Sequence, residues 1–451
     1  RLRKTITTIV ATAILLAGWQ LFAVIANQPE LIPSLPRLVR TLCEWLVSGS
    51  FYQSVGATIL RGVLGMSISF VCAIGMAGLF ARFEWVYELF RPLLAIMRSI
   101  PVISFILLAL IFLNPESIPL MIAFLTMFPL LTENLTRGIL DLRPGLSIMA
   151  RQFHIRRSNV LFQIIYPQLK PFLYSGLASA AGFGWRAIIM GEVLSQCAFG
   201  IGSEMKRAQN FIAVPELLAW TIVAVFISFF FDKGISKVAD ITPKISFANE
   251  DQTIPTPTLS VLDTKDISYQ YGIQHFSHSF QKGIIYGISA PSGKGKTTLL
   301  NLIGGILLPT EGEIHPTRHF GIATIFQQPQ LLPHLTAEEN IILPLSSFLT
   351  EEKARRIAQK HLQEMEMEPF GNRYPKELSY GQQQRIAIAR ALAYPSPLLL
   401  MDEPFKGLDE ALSHRIIERI REKQMKEERI ILFTSHNPDE IRLLADEVIY
   451  L

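Results

Sequence analysis

The stretch Ala290–Thr298 has the residue types and the spacing of a loop that binds phosphate groups. It follows a short apolar run that predicts a strand, and it precedes an apolar segment that predicts the first turns of a helix. Backbone N–H groups and the positive end of the helix dipole then point at the bound anion. Lys296 is placed to reach the β- and γ-phosphates of a nucleotide, and the Thr297 hydroxyl is placed to hold Mg²⁺. The residues predicted to contact the nucleotide are Ser292, Gly293, Gly295, Lys296, Thr297 and Thr298.

One position of this loop departs from the pattern G-x-x-x-x-G-K-[ST], because Ala290 stands where the pattern has its first Gly. An Ala is tolerated at that position only if its φ angle is negative. The alternative interpretation is an ordinary Gly/Ser turn before a helix.

Two apolar runs that predict buried parallel strands end in residues suited to phosphate chemistry. Leu398–Met401 leads into Asp402 and Glu403, and ligands of α/β sheets bind at this end of the strands. Asp402 suits Mg²⁺ coordination, directly or through water, and Glu403 suits the general base that polarises the attacking water. The alternative is a pair of solvated carboxylates in a turn. Ile430–Phe433 leads to His436, for which we expect a γ-phosphate contact rather than a purely structural role.

A second anion site is predicted where Ser379, Gly381 and Gln382 precede the strongly helical run Ile386–Leu392. Ser and Gly at a helix N-terminus expose backbone N–H groups to an anion. A domain that already has one phosphate site needs another only for a second phosphate, or for the phosphate of a partner. The alternative is a plain Ser cap of the helix.

The two halves of the 451-residue chain differ in composition, so we predict two or three domains. Residues 5–237 are dominated by long apolar runs, whereas residues 262–451 have the composition of an ordinary soluble domain. The net charge of +4 and the lack of a basic stripe with interleaved aromatics argue against a nucleic-acid partner. The cysteines are predicted to be small packing residues, with a Cys43–Cys197 disulfide as the alternative.

Six segments of the first half are long and apolar enough for helices that span a lipid bilayer, which need about 20 residues. They are 5–26, 58–81, 94–114, 118–137, 171–197 and 216–236. Lys and Arg are concentrated at the N-terminus, after the second and fourth spans, and at the end of the sixth. The positive-inside rule therefore places both termini and the phosphate-binding loop in the cytoplasm.

Charged residues inside predicted spans cost about 2.5–3.5 kcal/mol each on insertion scales, so each invites an explanation. Glu133 and Arg137 are four residues apart, which predicts a local ion pair at the cytoplasmic interface. Arg186 and Glu192 either line a pathway or contact neighbouring helices. Residues 35–46 have one apolar helical face, which predicts a helix that lies on the outer membrane surface or packs on the bundle.

The loop 142–171 resembles the coupling loop of permeases in importers of the ATP-binding cassette (ABC) class. In that pattern, Glu-Ala-Ala is followed by a Gly four residues after the second Ala and by Leu-Pro near the end. Ala150 and Pro167 fit the pattern, so the match is partial. The departures are Ile148 for the Glu, Met149 for the first Ala and His154 for the Gly. Stretches similar to permeases of the nitrate/sulfonate/taurine type are 91–94, 98–101, 191–194 and 200–202.

Residues 239–261 have loop composition and are predicted to be a linker. After them, residues 262–451 carry their motifs in the order found in the ATPase domain of an ABC transporter. The resemblance implies that Tyr271 stacks on adenine, with Tyr269 as the alternative. It also implies that Gln327 is the loop glutamine that links Mg²⁺ to the permease contact. The Mg²⁺ site then consists of Thr297, Gln327 and Asp402.

In this family each ATP lies between the phosphate loop of one subunit and the signature sequence of the other. Leu378–Gln382 resembles the signature, although Tyr380 replaces a Gly, a departure that bears on turnover. Ser379, Gly381 and Gln382 are then expected to contact the ATP of the opposite subunit. Asp409 belongs to the dimer-contact loop. One chain carries one loop and one signature, so we expect a homodimer or a dimer with a paralogous half-transporter.

The expected fold is therefore multidomain. An all-α polytopic membrane permease of about six helices (residues 1–238) precedes an α/β P-loop ABC ATPase domain (residues 262–451). The resemblance implies ATP-driven transport of a small solute across the cytoplasmic (inner) membrane of a bacterium. ATP and Mg²⁺ would be the cofactors, and the ATPase domain would lie in the cytoplasm.

Importers of the nitrate/sulfonate/taurine type take a small organic or inorganic anion from a separate binding protein, and aromatic vitamin precursors are a further candidate class. One alternative is an ABC exporter, for which long helices extending into the cytoplasm are expected. The other is an ATP-gated membrane regulator with weakened hydrolysis, suggested by Ala290 and Tyr380.

Overall fold

The computed structural model describes residues 2–239, 243–252, 259–270, 272–291, 293–316 and 321–451. The chain divides into two compact units that do not follow chain order. The membrane unit comprises Arg1–Leu142 and Gln168–Thr242, and the cassette unit comprises Arg143–Pro167 and Pro243–Leu451.

The first half of the chain is helical. Its helices are α1 (Leu2–Ala26), α2 (Leu35–Trp45), α3 (Gly49–Arg82), α4 (Glu84–Ser99), α5 (Val102–Phe112), α6 (Ile118–Leu140), α7 (Pro144–Gln152), α8 (Arg157–Asn159), α9 (Tyr166–Ser195), α10 (Ile201–Asn210) and α11 (Val214–Ala239). A 3₁₀ turn at Pro115–Ser117 precedes α6, and a π-helical segment at Val160–Ile165 joins α8 to α9.

Among the described residues, four helices are long and apolar enough to cross a membrane. They are Gly49–Arg82, Pro115–Leu140, Arg157–Ser195 and Val214–Ala239. The predicted first span, 5–26, lies within helix α1, Leu2–Ala26, of which Val10–Ala26 is apolar. The all-α membrane domain is therefore confirmed, and four of the six predicted spans lie on the four long helices.

The predicted third span, 94–114, is wrong as a single helix. The chain bends by 94° between α4 and α5, so this pair is either one broken span or a re-entrant loop. Pro101 explains the break, because a proline pushes the residue before it out of the helical region. Ile100 accordingly has an extended backbone, with φ −70° and ψ 130°.

Small residues allow the central helices of the membrane unit to approach closely, as is typical of helix packing in lipid. Ala73, Ala123 and Ala180 are fully buried in one core. A Cβ added at Gly65 would lie 2.6 Å from the Cβ of Ala123. Helix α2 packs on the bundle, since Trp45 stacks against Trp220 of α11 at 4.6 Å between ring centroids. All three cysteines are free, so the alternative disulfide does not form.

The cassette unit combines strands and helices. Its elements after residue 260 are β1 (Val261–Tyr269), β2 (Ile273–Gln281), β3 (Ile285–Ser289), α12 (Lys296–Ile303), β4 (Glu311–His315), β5 (Ala323–Ile325), α13 (Ala337–Leu345), α14 (Glu351–Glu364), α15 (Tyr380–Ala393), β6 (Leu398–Asp402), α16 (Glu410–Glu427), β7 (Ile430–Thr434), α17 (Pro438–Leu444) and β8 (Glu447–Tyr450). Two 3₁₀ turns, Glu368–Phe370 and Pro375–Glu377, lie between α14 and α15.

Two sheets organise the cassette unit. The larger sheet is parallel, with strand order β5-β6-β7-β3-β8, and the smaller one is antiparallel, with order β2-β1-β4. Every residue of β6 and β7 is buried, because helices or the second sheet cover both faces of a parallel sheet. The α/β fold class predicted for this half is confirmed.

Candidate functional site

Four neighbouring strands deliver the predicted catalytic residues to one edge of the parallel sheet. In spatial order, β5 leads to Gln327, β6 to Asp402 and Glu403, β7 to His436, and β3 to the phosphate-binding loop. The strand pairing aligns these ends, since Thr434 of β7 pairs with Asp402 of β6 on one side and with Ile288 of β3 on the other. The carboxyl ends of parallel strands are where α/β sheets bind ligands, so residues far apart in sequence converge here.

The loop between β3 and α12 has the backbone that a phosphate cradle requires. Gly293 and Gly295 have φ angles of 81° and 91°, which favour glycine. A Cβ at Gly295 would also lie only 2.6 Å from the carbonyl oxygen of Gly272. Ala290 is not among the residues with positive φ, so the condition for an Ala at this position is met. Lys296 is buried, and its Nζ donates to the Ala290 carbonyl oxygen at 2.7 Å.

Asp402 is held between two hydroxyl groups. Thr297 Oγ1 donates to one carboxylate oxygen at 2.9 Å, and Thr434 Oγ1 donates to the other at 2.7 Å. A carboxylate and a threonine hydroxyl in contact are oxygen donors of the kind that Mg²⁺ takes, together with water and substrate phosphates. These residues therefore fit the predicted metal. Among the described residues, no group of three or more His, Cys, Asp or Glu forms a dedicated metal cage.

Glu403 occupies an unusual backbone position beside this pair. Its φ of 47° lies in the left-handed region, where a non-glycine residue is strained, as residues at functional sites often are. Its backbone N–H donates to Thr434 Oγ1 at 3.0 Å. Burial raises the pKa of the carboxyl, but hydrogen bonds from Lys406 and Gln327 outweigh burial and leave the pKa below its ordinary value. Glu403 is therefore ionised at neutral pH, as a general base must be.

His436 lies between the acid and the lysine. Its Nε2 is 3.1 Å from a Glu403 carboxylate oxygen, and its Nδ1 is 3.4 Å from the Nζ of Lys296. The side chain is 51% exposed, so an incoming nucleotide can reach it. The strands thus bring together five of the predicted residues, namely Lys296, Gln327, Asp402, Glu403 and His436.

The three predicted signature residues form a separate cluster at the start of α15. Ser379 caps this helix: its Oγ accepts from Gln382 N at 3.3 Å, and the Gln382 side chain accepts from Ser379 N at 2.9 Å. A Cβ at Gly381 would lie 2.5 Å from the Gly407 carbonyl oxygen, which explains the need for Gly there. In the described part of the chain, no hydrogen bond joins these residues to the phosphate-binding loop of the same chain.

Tyr380, the departure from the signature, forms a specific contact. Its hydroxyl donates to the backbone carbonyl oxygen of Gln327 at 2.7 Å. It thereby links the start of α15 to the loop after β5. Asp409 caps α16, since its Oδ1 accepts from Leu412 N at 2.9 Å. The predicted role of Asp409 at a dimer contact remains a prediction.

Two predicted site residues lie outside the described residues, and two residues of the site were not predicted from the sequence. Tyr271 and Ser292 fall outside the described residues. Sequence reasoning missed Thr434, which contacts both Asp402 and Glu403, and Lys406, whose Nζ is 3.1 Å from a Glu403 carboxylate oxygen. The sequence contains a signal in both cases: Thr434 directly follows the apolar run Ile430–Phe433, and Lys406 is three residues after Glu403.

Residues 143–167, which form most of the predicted coupling loop 142–171, pack within the cassette unit. Gln152 Nε2 donates to the Gly304 carbonyl oxygen at 2.8 Å, and the Gln152 carbonyl oxygen accepts from Ile322 N at 2.7 Å. Phe153 is fully buried against Tyr394, with ring centroids 5.2 Å apart. Helix α7 is therefore part of the core of the cassette unit rather than a solvated connection.

Two polar side chains extend this docking toward the linker. Asn159 Nδ2 donates to Ser346 Oγ and to the Ser246 carbonyl oxygen, both at 2.8 Å. Gln163 Nε2 donates to the Pro243 carbonyl oxygen at 3.0 Å. His154 stands where the coupling-loop pattern has Gly, and its φ of 46° is one that glycine favours. The backbone at His154 therefore adopts the conformation expected of the glycine in the pattern, although the residue is not a glycine.

The charged residues of the predicted spans have distinct surroundings. Glu133 forms ion pairs with Arg137 and also with Arg98, so the local pair is confirmed and extended. Glu192 is fully buried and contacts neighbouring helices through Arg61 and other donors, which decides its alternatives in favour of a structural contact. Arg186 instead lines a cavity.

Two family models match the chain. A model described as "Binding-protein-dependent transport system inner membrane component" matches residues 67–232, and a model described as "ABC transporter" matches residues 273–406. The first match includes the segment that packs within the cassette unit, so the sequence family and the compact unit divide the chain differently.

Several similar proteins are named as ATP-binding proteins. The thiamine import ATP-binding protein ThiQ of Yersinia pseudotuberculosis is 34% identical over 205 residues, which cover 42% of this chain and 86% of that protein. An uncharacterized ABC transporter ATP-binding protein of Methanocaldococcus jannaschii is 34% identical over 201 residues, or 40% and 85%. The Fe(3+) ions import ATP-binding protein FbpC of Rhizobium etli is 35% identical over 189 residues, or 40% and 54%.

The chain spans about half the length of two of the curated relatives it matches, 54% and 52%. Among solved structures, the dimeric post-hydrolysis state of an ATP-binding cassette bound to ADP and Pi is similar at 32% identity. The match covers 42% of this chain and 94% of that chain, with a TM-score of 0.40.

Proposed function

The chain belongs to the ABC transporter family, and we propose that it couples Mg-ATP hydrolysis in its cassette unit to solute transport through its membrane unit. One observation carries the proposal: Lys296, Asp402 and Glu403 meet at one edge of the parallel sheet, with His436 between the lysine and the acid. This arrangement contains a phosphate cradle, an oxygen site for Mg²⁺ and an ionised base.

Each residue then has one chemical task. Lys296 and the N–H groups at the start of α12 bind the phosphates, and Lys296 exchanges its bond to the Ala290 carbonyl for a phosphate oxygen. Thr297 and Asp402 would hold Mg²⁺, which would supply positive charge to neutralise the phosphates. Glu403 orients the attacking water and takes its proton, and His436 contacts the γ-phosphate.

Replacing Glu403 with Gln tests this assignment. Mg-ATP hydrolysis by the purified chain in lipid nanodiscs should fall by about 10²–10⁴-fold, the usual contribution of a general base. Glu418→Gln is the matched control, because Glu418 is an exposed residue of α16. Hydrolysis at the wild-type rate in the Glu403 variant would exclude this residue as the base.

We also propose that two copies, or one copy and a paralogous half-transporter, complete the sites. The Ser379 and Gln382 side chains each accept from the backbone N–H of the other residue, and neither bonds the described residues of the phosphate-binding loop of its own chain. A partner's nucleotide is therefore the natural ligand of the start of α15. This inference agrees with the resemblance, in which the loop of one subunit faces the signature of the other.

Complementation between two defective chains tests a homodimer. Lys296→Ala damages the loop and Ser379→Arg damages the signature, so each variant alone should be inactive. In a mixed dimer, the intact loop of one chain meets the intact signature of the other. An equal mixture should recover about a quarter of wild-type hydrolysis if sites act independently. No recovery in co-expressed mixed dimers, isolated through two different tags, would contradict the homodimer.

For transport, we propose import of a small anion of the nitrate/sulfonate/taurine class across the inner membrane of a bacterium. The solute would come from a separate binding protein. The family model over residues 67–232 carries a binding-protein-dependent description, and similar ATP-binding proteins are named for import of Fe(3+), thiamine and glucose. Uptake of labelled taurine by right-side-out vesicles, with and without periplasmic extract, measures the direction; efflux without uptake would favour an exporter.

A further inference from the structure

One buried glutamine joins the coupling segment (residues 143–167) to a helix and a strand of the cassette unit. Gln152 is the last residue of α7 and is 7% exposed. Its Nε2 donates to the Gly304 carbonyl oxygen at 2.8 Å, and its Oε1 accepts from Thr324 Oγ1 at 3.4 Å. Its backbone carbonyl oxygen accepts from Ile322 N at 2.7 Å. The turn after α12 therefore uses one end of the amide, and strand β5 uses the other.

Helix α12 and strand β5 both lead to the candidate nucleotide site. Helix α12 has eight residues, so it is only about 12 Å long, with Lys296 in its first turn and Gly304 directly after its end. Strand β5 ends two residues before Gln327, which hydrogen bonds Glu403. A nucleotide that shifts either element therefore acts on Gln152 over a short path, because a close-packed interior transmits strain.

The contact of Gln152 with the turn after α12 differs from the other polar contacts of the coupling segment. Asn159 and Gln163 donate to backbone carbonyl oxygens of the linker instead. A cavity of about 620 Å³ borders the Gln152 contact, and its lining includes Gln152, His154 and Gly305. Because open space adjoins this contact, the link between α7 and the end of α12 depends on the amide more than on surrounding side chains.

We propose that Gln152 is a positioning residue that couples nucleotide binding to the docking of the coupling segment. The inference rests on the nucleotide site of the proposed function, although Gln152 itself does not touch the nucleotide. Bound phosphates fix the first turn of α12, and the helix in turn fixes the carbonyl oxygen of Gly304 that Gln152 binds. By thermodynamic linkage, docking strengthens nucleotide binding by the same factor as nucleotide strengthens docking.

Nucleotide binding to the full chain in nanodiscs tests the proposal. The probe is the fluorescent ADP analogue mant-ADP with Mg²⁺, so the assay needs no hydrolysis. Gln152→Met keeps the length of the side chain but loses the donor to Gly304, and the Kd should rise about three- to tenfold, the value of one hydrogen bond. The maximal rate of ATP hydrolysis should stay near that of the wild type, because the contact is the same in the ground and transition states. A partly unfolded variant would instead lose binding sites without a change in Kd.

A titratable variant separates the hydrogen bond from the packing of the side chain. In Gln152→Glu, the protonated carboxyl can donate to Gly304, whereas the ionised carboxylate cannot. Burial raises the pKa of such a carboxyl. Measured against the wild type at each pH, the mant-ADP affinity of this variant should be near normal at about pH 6 and should approach that of Gln152→Met at about pH 9.

Hydrogen exchange measures the same coupling in the opposite direction. In the wild type, Mg-ADP should slow backbone exchange in residues 146–155 about three- to tenfold, the factor that linkage requires. In Gln152→Met, nucleotide should have little effect on this exchange. The two factors come from different measurements, so their agreement is itself a test.

Asn159→Leu is the matched control, because it removes another buried amide of the coupling segment that bonds the linker and Ser346 rather than α12. Its mant-ADP Kd should equal that of the wild type. The proposal is overturned by an unchanged Kd in Gln152→Met, by an equal rise in Asn159→Leu, or by exchange in the wild type that ignores nucleotide.

The outcome is independent of the proposed catalytic mechanism. Hydrolysis that depends on Glu403 but a mant-ADP affinity that does not depend on Gln152 would refute only the coupling role. An affinity that depends on Gln152, with hydrolysis unchanged in Glu403→Gln, would refute only the assigned base.

Discussion

Glu192 in the membrane unit and Glu403 in the cassette unit are both carboxylates with three partners, but their surroundings differ. Glu192 accepts from Thr58, from Arg61 and from the Gly202 N–H, and it is fully buried. The partners of Glu403 are Lys406, His436 and Gln327, and the first two side chains are 50% and 51% exposed. The number of partners is therefore the same, while their freedom to move is not.

The difference separates a carboxylate that stabilises the packing of helices from a carboxylate that remains able to bind a substrate. Every contact of Glu192 ties one helix to another: Thr58 and Arg61 lie on α3, and Gly202 lies in the first turn of α10. Removing Arg61 would leave the buried charge of Glu192 without its counter-charge, and removing Thr58 would leave this carboxylate with fewer hydrogen bonds. The partners of Glu403 can instead turn to water or to a phosphate, so a nucleotide can replace them at low cost.

The largest predicted effect that separates the two carboxylates is on stability. Glu192→Gln should destabilise the membrane unit by about 1.5–3 kcal/mol, the range for a hydrogen bond to a charged group, because Arg61 loses its buried carboxylate and keeps only the exposed Glu116. The thermal midpoint of the chain in nanodiscs should fall markedly, whereas Glu403→Gln should leave it nearly unchanged. A double variant in which Arg61 and Glu192 both become Leu should be less destabilised than Glu192→Leu alone. Equal thermal midpoints for Glu192→Gln and the wild type would show that Glu192 does not stabilise the membrane unit.

A medium effect is predicted at Thr434, which supports Glu403 through its backbone and Asp402 through its carboxylate. Thr434→Val keeps the shape but removes the hydroxyl. The Mg²⁺ concentration that half-saturates ATP hydrolysis should rise about 10–100-fold, as is usual when a group that orients a metal ligand is lost. Thr434→Ser restores the hydroxyl and should restore the wild-type value. An unchanged Mg²⁺ dependence in the Val variant would show that Asp402 needs no such support.

The smallest effect is predicted at Tyr380, where a single exposed hydrogen bond links the start of α15 to the loop of Gln327. Tyr380→Phe keeps the ring beside Gly407 and loses only that bond. The maximal rate of hydrolysis should fall by about two- to tenfold, in line with the net value of one hydrogen bond. If Tyr380→Phe and the wild type turn over equally while Tyr380→Gly differs, then the ring rather than the hydroxyl matters.

The local patterns of the sequence predicted the phosphate-binding loop, the strand ends that carry Asp402, Glu403 and His436, and the α/β class of the second half. These predictions succeed because glycine spacing, buried-strand composition and the residues after each strand are local properties. The same local reasoning overestimated the number of straight spans, since apolar composition in 94–114 does not reveal a 94° bend at Pro101. The roles assigned to the site residues remain predictions until turnover is measured.

The sequence by itself determined which residue types are available: a glycine-rich loop, an acidic pair after a buried strand, and apolar segments long enough for a bilayer. Only the tertiary structure decided which charges are already paired. It pairs Arg61 with Glu192 and leaves Arg186 without a described partner, and it packs residues 143–167 within the cassette unit. Pairing and docking depend on distances between residues that are far apart in the chain, 131 positions for Arg61 and Glu192 and 87 for Asn159 and Ser246. Those distances exist only once the helices and strands have packed.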